Sequence, residues 1–172
     1  KNKNWKGINM DLDQKNIDLF NLARKRDINI KATISYGNFK KKIYYYHSKS
    51  AINTIEKKIS NFQKAKVKKI IDVQTVTLNQ LLVQNKIKKI DFISIDVEGH
   101  EINVLNGFNI KKYRPSLVVI EFLDLKMKKF EFYNNSIKNI LNSNIYNYFT
   151  KNNYSLINWN HGDLVFVNNS IR

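Results

Sequence analysis

Asp96, Glu98 and His100 follow the apolar run Phe92-Ile93-Ser94-Ile95, and Glu121 closes a second run, Leu117-Val118-Val119-Ile120. Carboxylates gathered this way can accept hydrogen bonds or take a proton from a reacting group, and a neutral imidazole is a suitable base near pH 7. Oxygen and imidazole ligands also suit a divalent metal. Three groups at alternate positions seldom complete a metal site unless Glu121 or another residue joins them, so no metal is assigned. Each residue has a plainer role as well. His100 can be a turn or helix-start histidine bonded to a neighbouring carboxylate, and Glu121 can simply end its strand. His47 and His161 lie near turns and are expected to be solvated.

The two runs are nearly continuous stretches of β-branched and aromatic residues, the pattern of strands covered on both faces in a parallel sheet. About twenty residues separate them, with Gly99 early, Gly107 late, and Ile102 and Leu105 at a spacing that suits one short crossover helix. The fold class is therefore α/β. In such sheets ligands bind beyond the carboxyl ends of the strands, where these four residues fall.

Upstream, Trp5 to Asp11 reads as a strand ending on a carboxylate, and Asp13 as the cap of a helix over 15–23. Residues 28–35 alternate as a strand, Gly37-Asn38 marks a turn, and residues 41–47 read as a second strand, together suggesting a hairpin-like addition to the sheet. The segment 48–69 is polar and Lys-rich and fits a short helix or a loop over the ligand mouth equally. A strand over 70–76 and a helix over 78–84 follow. Pro115 suits a strand entrance. A helix over 144–152 leads into strands over 154–159 and 164–167, an antiparallel hairpin at the sheet edge.

The 172 residues suit one domain with a proper core. No run reaches the roughly 20 apolar residues of a membrane span, and no signal-like leader is visible. The absence of cysteine excludes disulfides, thiolate metal sites and a cysteine nucleophile, and permits a cytoplasmic location. The net charge of +16 raises nucleic-acid binding as a second reading. The cations are almost all Lys, however, and Asn and Ile are equally over-used, as in an AT-rich coding sequence. Much of the charge is thus expected to be solvated surface.

The stretch IDFISIDVEGHEINVLNGF, followed by RPSLVVIEF, resembles the FkbM-type methyltransferases, a branch of the Rossmann-like enzymes that use S-adenosylmethionine. Weaker matches flank it in WKGINMDLDQKNIDLFNLARKRDINI, VQTVTLNQLL and NYSLINWNHGDLVFV, so the resemblance covers nearly the whole chain. It implies a Rossmann-like class I methyltransferase sheet with a C-terminal antiparallel hairpin. It also implies an acidic residue at the end of the second strand, where Asp11 stands beside Met10, and one carboxylate there can accept from both ribose hydroxyls. Asp96 is then expected to orient cofactor or acceptor, Glu98 and His100 to serve catalysis, and Glu121 to line the acceptor pocket. The expected reaction is O-methylation of a small molecule or saccharide. The family's first strand and its Gly-rich loop would lie upstream of Trp5. The chain begins at Lys1, with methionine only at Met10 and Met127. A single domain, 1–172, lacking that N-terminal first strand and binding the cofactor poorly by itself, is the expectation. An inactive remnant of such an enzyme is the third reading.

Overall fold

Local chemistry sets where the chain turns. Asp13, in extended backbone, accepts from the Lys15 N–H at 2.9 Å and starts α1 (Gln14–Ala23) after β1 (Ile8–Asp11). Thr77 and Gln80 form a reciprocal capping box, each side chain accepting from the other's backbone N–H, and start α2 (Leu78–Gln84). Ser143 accepts from the Tyr146 N–H and starts the helix Asn144–Lys151.

In this computed structural model the described residues are 4–46, 55, 67–122, 136–160 and 162–171. After α1 come β2 (Ile28–Lys31), β3 (Thr33–Ile34), β4 (Lys40–Tyr45), β5 (Lys69–Val76) and α2. Then follow β6 (Phe92–Ile95), α3 (Glu101–Asn106), α4 (Ile110–Tyr113) and β7 (Leu117–Glu121). The chain closes with α5 (Ile137–Leu141), α6 (Asn144–Lys151), β8 (Tyr154–Asn160) and β9 (Asp163–Asn168). The segment 48–69, apart from Ile55 and 67–69, lies outside the described residues, as do His47, His161 and the charged aromatic stretch after Leu123.

The result is a mixed α/β fold. Strands β6 and β7 are parallel, with Ile95 opposite Ile120, and β9 and β8 extend that sheet antiparallel in the order β6-β7-β9-β8. The closing hairpin is thus present, with a bulge between Leu156 and Asn158. Strands β1 and β2 form a separate parallel pair, and β3-β5-β4 a third group. The connection from β6 to β7 contains two short helices, α3 and α4, in place of the single crossover helix expected.

One expectation is corrected here. The strand over 28–35 breaks at Ala32 into β2 and β3, and β4 does not return along either of them. Strand β5 lies between β3, to which it is parallel, and β4, to which it is antiparallel. The Gly37 turn is pinned by Thr75 of β5, whose Oγ1 donates to the Gly37 carbonyl at 2.7 Å and accepts from the Phe39 N–H at 3.0 Å.

The main core lies against the β6-β7-β9 sheet. Phe149 of α6 stacks on Phe166 of β9 with ring centroids 4.2 Å apart, and both are fully buried with Val118, Ile120 and Leu164. Burial of each such side chain stabilises the fold by about 1.5–3 kcal/mol. This core fixes the carboxyl ends of β6 and β7 as a rigid edge on which a site can be built.

Candidate active site

Register brings the carboxylates together. Asp96 follows Ile95, whose partner Ile120 precedes Glu121, and Glu121 in turn pairs with Asp163 at the start of β9. Asp96, Glu98 and Glu121 offer oxygens that all lie within 4.8 Å of one another, a spacing that could also hold a divalent cation. A chain with 30 Lys and Arg against 14 Asp and Glu thus concentrates negative charge at one sheet edge.

Backbone conformation shapes the turn out of β6. Glu98 has φ 53° and Gly99 φ 86°, two successive left-handed residues. For a non-glycine residue this costs about 1–3 kcal/mol and persists only where its surroundings enforce it. Glu101 enforces it here. Its side chain, 3% exposed, reaches back so that one oxygen accepts from both the Val97 N–H at 3.1 Å and the Gly99 N–H at 3.0 Å. The sequence reading passed over Glu101. Its position in the first turn of α3 was the available signal, because a carboxylate there can turn back onto free amides.

Burial and crowding perturb these acids. Burial, and then the charges of Asp96 and Glu101, push Glu98 up to about 7. Burial, followed by the charges of Asp96, Glu101 and Glu98, pushes Glu121 up to about 9. Partial desolvation and then Asp163 raise Asp96. Glu121 Oε2 is buried without a hydrogen-bond partner among the described residues.

Glu121 and Glu98 therefore hold protons in the folded state between their ordinary 4.5 and their raised values of about 9 and about 7, where the unfolded chain has released them. The sign follows: this contribution to stability is complete below pH 4.5 and is lost as pH rises through the folded values. Thermal unfolding should thus show a higher midpoint at pH 5 than at pH 9. Glu121→Gln should flatten the profile and gain about 1–3 kcal/mol at pH 9, because no buried unpaired charge then forms. An unchanged slope would contradict this assignment.

Asp96 and Glu98 face a cavity of about 230 Å³. Met10 and Asp11 of β1 and Asn16 of α1 also line it, as do Ala32 and Ile34. The cavity brings together Met10, Asp11, Asp96, Glu98 and His100, while Glu121 stands behind Asp96 and is not part of the wall. The Asp11 carboxylate is already aimed, one oxygen accepting from the Asp13 N–H at 2.7 Å and the other from Asn16 Nδ2 at 2.9 Å. Each oxygen keeps a second acceptor position. Asp13, singled out only as a cap, also lines the cavity and accepts from the Tyr45 hydroxyl at 2.9 Å.

His100 is fully buried at the cavity floor. Its Nε2 lies 2.9 Å from Ser35 Oγ and its Nδ1 3.0 Å from Asn103 Nδ2. Both ring nitrogens are thus engaged with the protein. A second, more open groove of about 460 Å³, lined by Tyr36, Asn79, Asn106 and Lys111 among others, has no carboxylate or histidine among its described lining residues.

An α/β fold with an acid at the end of its first described strand and further acids lining the same cavity is consistent with a methyltransferase domain. The Methyltransferase FkbM domain family matches residues 1–156 of the 172-residue chain, and the chain belongs to that family. No curated protein and no solved structure matches it. Among the described residues no helix is long and apolar enough to cross a membrane.

Proposed function

We propose that the chain is an S-adenosylmethionine-dependent O-methyltransferase acting on a hydroxyl of a small molecule or saccharide, on a Rossmann-like class I sheet. The observation that carries this reading is that one cavity is lined by Asp11 and Met10 together with Asp96 and Glu98. The residues fit the cofactor. Asp11 offers oriented acceptors for two ribose hydroxyls, and Met10, Ala32 and Ile34 offer apolar surface for a flat ring. When bound, S-adenosylmethionine supplies a methyl group on a cationic sulfur. The strand orders β1-β2 and β6-β7-β9-β8 are what such a sheet leaves when one strand is taken out between β1 and β6, which supports a single domain lacking its first strand.

Asp96, which lines the cavity, would orient the acceptor, and its negative charge would suit a cationic group held there. Glu98 would take the proton of the acceptor's hydroxyl. A carboxylate titrating at about 7 is matched to that task at neutral pH. Glu121, mostly protonated there, limits the charge at the back of the acceptor side. A cytoplasmic location is part of this proposal and is compatible with a chain without cysteine.

Calorimetric titration of the full-length protein with S-adenosylmethionine tests the cofactor assignment. Asp11→Ala is expected to weaken binding about tenfold to a hundredfold, the equivalent of about 1.5–3 kcal/mol for hydrogen bonds to a charged group. Equal affinity in variant and parent would remove Asp11 from the ribose site.

A further inference from the structure

We propose that His100 is a positioning residue that, with Ser35, ties the two walls of the cavity together and holds the Asp96–Glu98 turn in place. The inference starts from burial. Ser35 and His100 are both fully buried polar residues, 65 positions apart, and their side chains meet at 2.9 Å. An unmade bond between them would leave two polar groups stranded in the interior, at about 1–3 kcal/mol each.

The bond has a direction. Asn103 Nδ2 lies against Nδ1 and can only donate to it, so the ring proton sits on Nε2 and is donated to Ser35 Oγ. Ser35 itself is anchored, its N–H donating to the Val76 carbonyl at 2.9 Å. Asn79 of α2 in turn donates its N–H to the Gly107 carbonyl at 3.1 Å, which ties α2 to the far end of α3. The β3-β5 unit is thereby fastened to α3 at both of its ends, through His100 at the start and Gly107 at the close.

The Asp96–Glu98 turn hangs on the same helix. Glu101, the residue after His100, holds the Val97 and Gly99 amides and with them the left-handed Glu98. Moving the start of α3 moves that grip. His100 thus acts on the cavity through Glu101 and Ser35, without contact with a reacting atom. Ser35 is hidden as a partner in the sequence because it lies 65 positions away, just after β3.

Three variants test the proposal: Ser35→Ala, His100→Leu, and His100→Gln, which keeps an N–H donor. Amide hydrogen exchange of the ligand-free protein is read at Val97 and Gly99. Ser35→Ala and His100→Leu are expected to speed exchange there about tenfold, the effect of losing roughly 1.4 kcal/mol of local holding energy. His100→Gln should recover most of the protection, and the core amides of β7 and β9 should keep their parent rates. Combining Ser35→Ala with His100→Leu should add nothing to His100→Leu alone, since the bond that Ser35→Ala removes is already lost there. Parent exchange rates at Val97 and Gly99 in Ser35→Ala, the mildest change, would overturn the proposal, as would effects that add. A second arm measures S-adenosylhomocysteine binding and rests on the methyltransferase reading. Faster exchange without any binding by the full-length protein would reject that reading and leave the positioning role standing.

Discussion

Gly107→Ala is expected to destabilise the protein by about 3 kcal/mol, at the upper end of what overpacking costs. A β-carbon at this position would lie 2.3 Å from the Ser35 carbonyl oxygen and 3.2 Å from the Tyr36 α-carbon, both backbone atoms. Neither can swing aside as a side-chain tip could. Ser35 is held by Val76 on one side and by His100 on the other, so the strain must pass into the β3-β5 unit or push α3 away from it. The glycine is not needed for a special backbone angle, since φ is −93°, and its value lies in the close approach alone. For a chain of this size the loss corresponds to a fall of about 6–12 °C in the thermal midpoint. Gly162→Ala is the control, because nothing lies within 4 Å of a β-carbon there, and its midpoint should stay close to that of the parent. Equal midpoints for the two variants would show that α3 does not press on Ser35.

That contact explains why part of the fold was legible in the sequence and part was not. Strands β6 and β7 declared themselves, because continuous apolar runs ending on a carboxylate are local patterns. Helix α2 did so too, its Thr77 cap and Gln80 partner lying three residues apart. The pairing of β4 did not. A Gly37 turn between two strand-like segments suggests a hairpin, yet the hydrogen bonds of β4 go to β5, some thirty residues on, and Thr75 rather than a cross-strand partner closes the turn. Pairing is decided by which edge is available in three dimensions, and no local spacing records that.

The candidate site divides in the same way. Asp96, Glu98 and Glu121 could be read from strand ends, and Asp11 from the resemblance together with a strand end. The contributions of Ser35 and Asn103 could not, because each acts through one bond to a particular atom of a buried imidazole. His100 shows the limit most clearly. Its residue type and its place beside carboxylates suggest a base, whereas its burial and its bonds to Ser35 and Asn103 are what motivate the positioning role proposed above.

Glu98→Gln is expected to lower the methyl-transfer rate of the full-length protein about 10²- to 10⁴-fold, the usual contribution of general-base catalysis. The fold should be little disturbed, because glutamine keeps the size of the side chain and removes a charge that burial and the neighbouring Asp96 and Glu101 already oppose. The pH dependence separates loss of a base from loss of a binding contact. In the parent, kcat/KM should rise with pH and level off above about 7, as the Glu98 carboxyl gives up its proton and becomes able to accept one. In Glu98→Gln that rise should vanish, leaving a low and flat profile. Asp96→Asn gives the contrast. It removes a charge that holds the Glu98 proton on, so the remaining activity should level off at lower pH than in the parent. A Glu98→Gln profile that kept the parent's shape at a reduced height would move the base elsewhere and leave Glu98 as a residue that binds the acceptor. A shifted profile in Asp96→Asn with a flat one in Glu98→Gln would fix the proton on Glu98 and make the left-handed turn that Glu101 maintains part of the catalytic apparatus.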